Sequence, residues 1–239
     1  SKGGGQITLI DDQDSLGGHL RLDSSTHNIS SLGAKLTGQN IAHQLSEQVD
    51  QNPNINVLTH ATAFGWYADN LLGILTPNRF IQLRAKHIIF ATGSNEVPHV
   101  FENNDLPGIM LSSGALRLLH LYGLLPGRRA VVVSGDDHGY KTAVELQSSG
   151  VRVAAVVDSR GGFPSGLPEA QKLKDSGVRV LNGYSPLRAD GPKRLSSVTV
   201  AANENGRLSS QEVRFECDLL ITSGAFEPSM PLLRQAGVQ

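Results

Sequence analysis

The stretch from Val131 to Asp158, VVVSGDDHGYKTAVELQSSGVRVAAVVD, constrains the fold more than any other. A β-branched run ends in a tight glycine-containing turn. A helix-like segment then closes at Gly150, and a second apolar run ends in an acid. Two parallel strands joined this way form a βαβ unit. Such a unit binds a dinucleotide for three separable reasons. Glycines let the backbone approach the pyrophosphate, the helix N-terminus supplies N–H donors, and an acid after the second strand accepts from the ribose hydroxyls. Asp158 stands 19 residues past Gly139, near the ~20 expected of a ribose acid.

The turn itself departs from that chemistry. It reads Ser134-Gly135-Asp136-Asp137-His138-Gly139, so Ser134 and Asp136 occupy the first two glycine places of G-x-G-x-x-G. A carboxylate at Asp136 or Asp137 is placed to satisfy the helix donors itself. It also repels a pyrophosphate, by ~1 kcal/mol or more at short range. Two readings stay open: a retained fold with a closed phosphate site, or a working NAD(P) site on Gly135, Gly139 and Asp158.

The remaining chain points to an α/β protein with two Rossmann-like dinucleotide-binding domains and attached β-meanders. The boundaries are set at 1–110, an incomplete first domain, and 111–239, a second NAD(P)-binding-like one. Most of the 26 glycines lie between apolar runs, as strand-to-helix turns require. A helix is predicted over 39–51 and strands at 6–10, 55–59, 71–76 and 79–84, followed by the strand-like run HIIFATGS. Beyond 111 a helix is predicted over 113–122, another from Pro168 to Gly177, and strands at 194–202 and 211–216. HIIFATGSNEVP and DLLITSGAFEP end the two halves alike.

Asp11 or Asp12 closes an apolar strand, QITLI, and Gly17-Gly18 follows. These match a ribose acid and its following turn, whose own glycine-rich turn belongs about 20 residues upstream. Ser1-Lys2-Gly3 reads as the end of a helix that precedes that strand. The chain is therefore expected to be a fragment that binds nucleotide weakly at its first site.

ITLIDDQDSLGGHL, the FATG run, and above all VFENNDLPGIMLSSGALRLLHLYGLLPGRRAVVVSGDDHGYKTAVEL resemble the α subunit of heterotetrameric sarcosine oxidase. The resemblance implies a tightly held NAD or FAD in the first domain and FMN at an interface with another subunit. It implies as partners the other subunits of a hetero-oligomeric amine oxidase, one of which carries the amine-oxidising flavin. Asp11 or Asp12 then matches the adenosine-ribose acid, Gly17 and Gly18 the turn after it, and Ala91-Thr92-Gly93 the loop closing over the dinucleotide. The segment that returns to complete the first domain is expected to lie outside this chain. No catalytic residue is expected on it.

Other chemistries lack support. The charge of −1 is spread without a basic face for nucleic acid, and no apolar run reaches the length of a membrane span. With no secretion signal in view, a cytoplasmic protein is expected. The eight histidines form no metal-ligand spacing, and the single Cys217 excludes a redox dithiol. The leading reading is a nucleotide-binding portion of an amine-oxidising flavoenzyme. An NAD(P)H:flavin reductase and a non-catalytic scaffold are the alternatives.

Overall fold

The computed structural model describes residues 4–29, 34–204 and 206–237. Ser1-Lys2-Gly3, read above as a helix end, lies outside them. The chain folds as two compact units: residues 1–95 with 228–239, and residues 96–227.

In the first unit, β1 (Ile7–Ile10) pairs in parallel with β4 (Ile55–Leu58), and Ile7 aligns with Ile55. A short 3-10 turn, Gly18–Leu22, leads to the hairpin of β2 (Thr26–Ile29) and β3 (Ala34–Thr37). The helix α1 (Gly38–Asp50) starts where Thr37 Oγ1 accepts from the Asn40 N–H at 3.2 Å, a side-chain N-cap. It buries Ile41 and Ala42. An antiparallel meander follows, made of β5 (Thr62–Tyr67), β6 (Leu71–Leu75) and β7 (Phe80–Arg84). Its inner face packs Leu72 and Ile74 with Trp66, Ile81 and Leu83.

HIIFATG forms no regular strand. Ile88 joins the meander core, whereas Ile89 stands 91% exposed. Sequence pattern supplies the alternation of a strand, but no described strand pairs with this run. The chain enters the second unit along β8 (Ser94–Val97), earlier than the expected break at 110/111.

The second unit holds a five-stranded sheet. Its strands are β9 (Ile109–Leu111), β10 (Arg129–Ser134), β11 (Arg152–Asp158), β12 (Arg179–Asn182) and β16 (Leu219–Ser223). The order across it is β12-β11-β10-β16-β9, with all neighbours parallel. The connector 96–108 and β9 belong here because β9 pairs with β16, Leu220 against Ile109. The helices are α2 (Ser112–Tyr122), α3 (His138–Ser148) and α4 (Pro168–Asp175).

Alternation along β10 explains the layering. Ala130 and Val132 face Tyr140, Ala143, Leu146 and Leu173 of α3 and α4. Val131 and Val133 face Val198, Val200 and Phe215. Those residues belong to an antiparallel sheet of β13 (Tyr184–Asp190), β14 (Ser197–Glu204) and β15 (Arg207–Glu216). Both faces are therefore covered, which is why β10 reads as a continuous apolar run. β13, whose Pro and charged residues hide its alternation, was not legible in the sequence.

The chain leaves this unit along β17 (Ala225–Pro228), and α5 (Pro231–Gln235) rejoins the first. There the Trp66 N–H donates to Gln235 Oε1 at 2.8 Å. This corrects the expectation that the returning segment lies wholly outside the chain: it begins at Pro228.

Candidate functional site

The site of the second unit lies at the carboxyl ends of its parallel strands. Ser223, Ser134, Asp158 and Asn182 stand side by side in register at the ends of β16, β10, β11 and β12. The connection after β10 runs toward β11, while β16 lies on its other flank. This is the topological switch point at which open α/β sheets bind ligands. The turn 134–139 sits there.

Its glycines serve packing. A Cβ on Gly139 would lie 2.3 Å from Ser134 Oγ, and one on Gly135 would lie 2.4 Å from the Gly224 carbonyl oxygen. Gly135 N–H donates to Ser223 O at 2.7 Å, which ties the turn to the neighbouring strand end.

The donors at the start of α3 are taken. Asp136 Oδ1 accepts from His138 N–H at 3.0 Å, Gly139 N–H at 3.4 Å and Ser223 Oγ at 3.2 Å. Ser134 Oγ donates back to the Asp136 carbonyl at 2.6 Å. The carboxylate thus occupies the place where a pyrophosphate would collect those amides.

The candidate ribose acid is equally engaged. Asp158, fully buried, accepts from the Tyr140 hydroxyl at 2.9 Å and from Arg160 Nε and a terminal guanidinium nitrogen at 3.0 and 2.9 Å. The Arg160 backbone N–H adds a bond of 2.9 Å. The other terminal nitrogen of Arg160 reaches Asp137 at 2.8 Å, so one guanidinium spans from the end of β11 to the turn. Its bond to Asp158, with help from Asp137, raises its affinity for the proton above an already high value. Burial pushes the Tyr140 hydroxyl well above the ordinary tyrosine range, and the bond to Asp158 adds to this. Two carboxylates, Asp158 and Asp137, share one guanidinium here, and with the carboxylate of Asp136 on the same turn the field disfavours a pyrophosphate. The residues present do not fit a bound dinucleotide at neutral pH.

The first unit is different. Asp11 Oδ1 accepts from the Gln13 backbone N–H at 2.9 Å, and Asp12, exposed at the end of β1, accepts from the Gln13 side-chain amide at 2.8 Å. Gly17 adopts a φ of +115°, and a Cβ there would meet Ala42 Cβ at 2.7 Å, so the turn presses on α1. Thr92 Oγ1 donates to Ser229 O at 3.0 Å, and Ser229 N–H donates to Gly93 O at 2.9 Å. Ala91, Thr92 and Gly93 are exposed. An exposed acid whose described side-chain partner is neutral fits a ribose hydroxyl. The structure does not bring Asp12 and Thr92 into a hydrogen-bonded group.

Sequence reasoning missed Tyr140 and the bridging role of Arg160. Only Arg160, two residues past the acid, left a signal. It also missed Glu96, whose carboxylate accepts from Ser112 and Ser113 N–H at 3.2 and 2.8 Å and caps α2. Among the described residues no cluster of three metal-binding side chains occurs, and no helix is long and apolar enough to cross a membrane.

No protein-family profile matches the chain. Over 256 residues it is 32% identical to the sarcosine oxidase subunit alpha of Corynebacterium sp. (strain U-96), covering 98% of this chain and 25% of that protein. The corresponding subunit of Rhizobium meliloti (strain 1021) is 30% identical over 250 residues, 99% of this chain and 23% of that protein. The chain thus spans about a quarter of the length of these relatives. Among solved structures, T. acidophilum thioredoxin reductase superposes with a TM-score of 0.72 at 15% identity, over 98% of this chain and 73% of that one. That likeness shows the fold, two Rossmann-like units.

Proposed function

We propose that this chain, related by sequence to the sarcosine oxidase α subunit over nearly its whole length, is the nucleotide-binding portion of a flavoenzyme subunit. The complete enzyme would oxidise a secondary amine such as sarcosine, with the amine handled on another subunit. The 32% identity to a sarcosine oxidase subunit alpha over 98% of the chain carries this reading.

The first unit is the proposed dinucleotide site for NAD or FAD. Asp12, or Asp11 beside it, would accept from the adenosine ribose, Gly17 and Gly18 would shape the turn after it, and Ala91-Thr92-Gly93 would close over the dinucleotide. FMN would lie at an interface with a partner subunit. Gly135, Gly139 and Asp158 of the second unit then serve as scaffold. The engagement of Asp136 and Asp158 by the protein's own groups supports that role over nicotinamide reduction of a flavin.

The test is to co-express the full-length subunit with candidate partner subunits of an amine oxidase. Sarcosine-dependent oxygen uptake without NADH-dependent flavin reduction is the expected result. NADH-driven flavin reduction without any amine-dependent activity would overturn the reading in favour of a reductase.

A further inference from the structure

The opposite end of the second unit, at the amino ends of β10 and β11, carries groups that the fold leaves unmatched. α2 runs back to this end and stops at Tyr122. Gly123, at a φ of +63°, closes the helix: its N–H bonds to Leu119 O at 3.2 Å, and the Leu124 N–H to Leu118 O at 2.9 Å. These bonds hold the connector onto the helix end. Gly127 seats its other end, since a Cβ there would lie 2.7 Å from Leu219 Cβ. Between the two anchors Leu124 and Leu125 are each 56% exposed, and Tyr122 beside them is 64% exposed.

Three arginines flank this apolar tip. Arg129 begins β10 and aligns with Arg152 of β11, and the Arg152 N–H donates to Arg128 O at 2.9 Å. Arg128 and Arg152 are exposed, and Arg129 Nε is buried without a hydrogen bond. Among the described residues no carboxylate forms an ion pair with any of the three. Asp218, whose N–H bonds to Arg129 O, turns its carboxylate to the backbone N–H groups of Arg128 and Arg129, at 3.0 and 2.7 Å.

We propose that this end of the second unit docks another polypeptide, whose matching surface is an apolar pocket ringed by carboxylates. Tyrosine and arginine are enriched in interface cores and lysine is depleted there. A guanidinium is weakly hydrated and gives a carboxylate two parallel bonds. The tyrosine and leucines shed water on docking and shield those bonds. A second copy of this chain does not match, because a two-fold contact would bring the same unpaired arginines together. A lipid surface matches less well than a protein, because Leu124 and Leu125 sit on a short anchored connector rather than on an amphipathic helix. The face lies at the opposite end of the strands from the turn 134–139, so docking leaves that turn uncovered. This inference rests on the reading of the chain as one subunit of a larger enzyme and adds where it is held.

The full-length subunit, co-expressed with candidate partner subunits of an amine oxidase, tests it. Hydrogen exchange should slow at residues 122–129 and 150–153 in the assembly relative to the free subunit. Leu124→Ser/Leu125→Ser should weaken assembly about tenfold or more, read by sedimentation. Arg128→Glu/Arg152→Glu should weaken it as well, and added salt should weaken the wild-type assembly. These four side chains are exposed, so circular dichroism and thermal melts of the variants should match the wild type. An assembly with unchanged exchange at 122–129, or one that the leucine variant forms as tightly, overturns this surface and leaves the proposed function standing. A wild-type subunit that takes up no partner overturns both. Slowing at 122–129 by pure phosphatidylserine vesicles but not by partner subunits, or a homodimer that both variants abolish, also overturns the proposal.

Discussion

Asp158 shows how one residue can keep a motif's position while the protein's own groups engage it. Its place at the end of β11 was legible from spacing alone. What it does was not, because Tyr140 and Arg160 meet it only in three dimensions. Tyr140→Phe removes one bond to a buried carboxylate that retains its Arg160 bonds. It should cost about 1.5–3 kcal/mol, read from urea denaturation. Cys217 illustrates the opposite case, a residue whose apolar neighbourhood in the sequence, ahead of the run DLLITS, agrees with its surroundings in the fold. It is buried, and burial, reinforced by Asp218, pushes its thiol up to about 12. Iodoacetamide at pH 8 should leave the native protein unlabelled and label the unfolded chain; rapid native labelling would contradict this.

At the level of elements, the helices were legible where apolar spacing and caps agree. α1 was expected over 39–51 and spans Gly38–Asp50. HIIFATG was misread because apolar alternation specifies a strand only when a neighbouring strand completes its hydrogen bonds. The contact of α3 with β10 rests on Gly139, whose added Cβ would strike Ser134. Gly139→Ala should therefore lower stability by about 1–3 kcal/mol through overpacking, whether or not nucleotide binds, and a thermal melt checks it. In the first unit, Asp23 ties the start of β2 to the turn before it. Burial alone would raise its carboxyl, but bonds from Ser25 and His27 outweigh it and hold the group below its ordinary value. A carboxyl depressed in the folded state stabilises above the unfolded value, and that stability fades as pH falls through the folded one. Acid unfolding below about pH 4 should accordingly be less steep in Asp23→Asn than in the wild type.

For the whole molecule, the two-unit organisation was legible because HIIFATGSNEVP and DLLITSGAFEP echo each other in sequence, although only in the second does the opening apolar run form a strand. The boundaries were not, because the pairing of β9 with β16 and the return of α5 are non-local. The same holds for function: the candidate ribose acids could be named from sequence, but their partners decide which of them is available. Asp12 accepts from a neutral side chain at an exposed strand end, whereas Asp158 is enclosed by a guanidinium and a phenol. On the proposed reading, nucleotide binds at neutral pH in the first unit alone. Hydrogen exchange of the full-length subunit at pH 7.5, with and without saturating NAD or FAD, tests this most directly. Slowed exchange at residues 7–18 and 90–93, with 134–146 unchanged, is the predicted footprint. Slowing at 134–146 with none at 7–18 would contradict it.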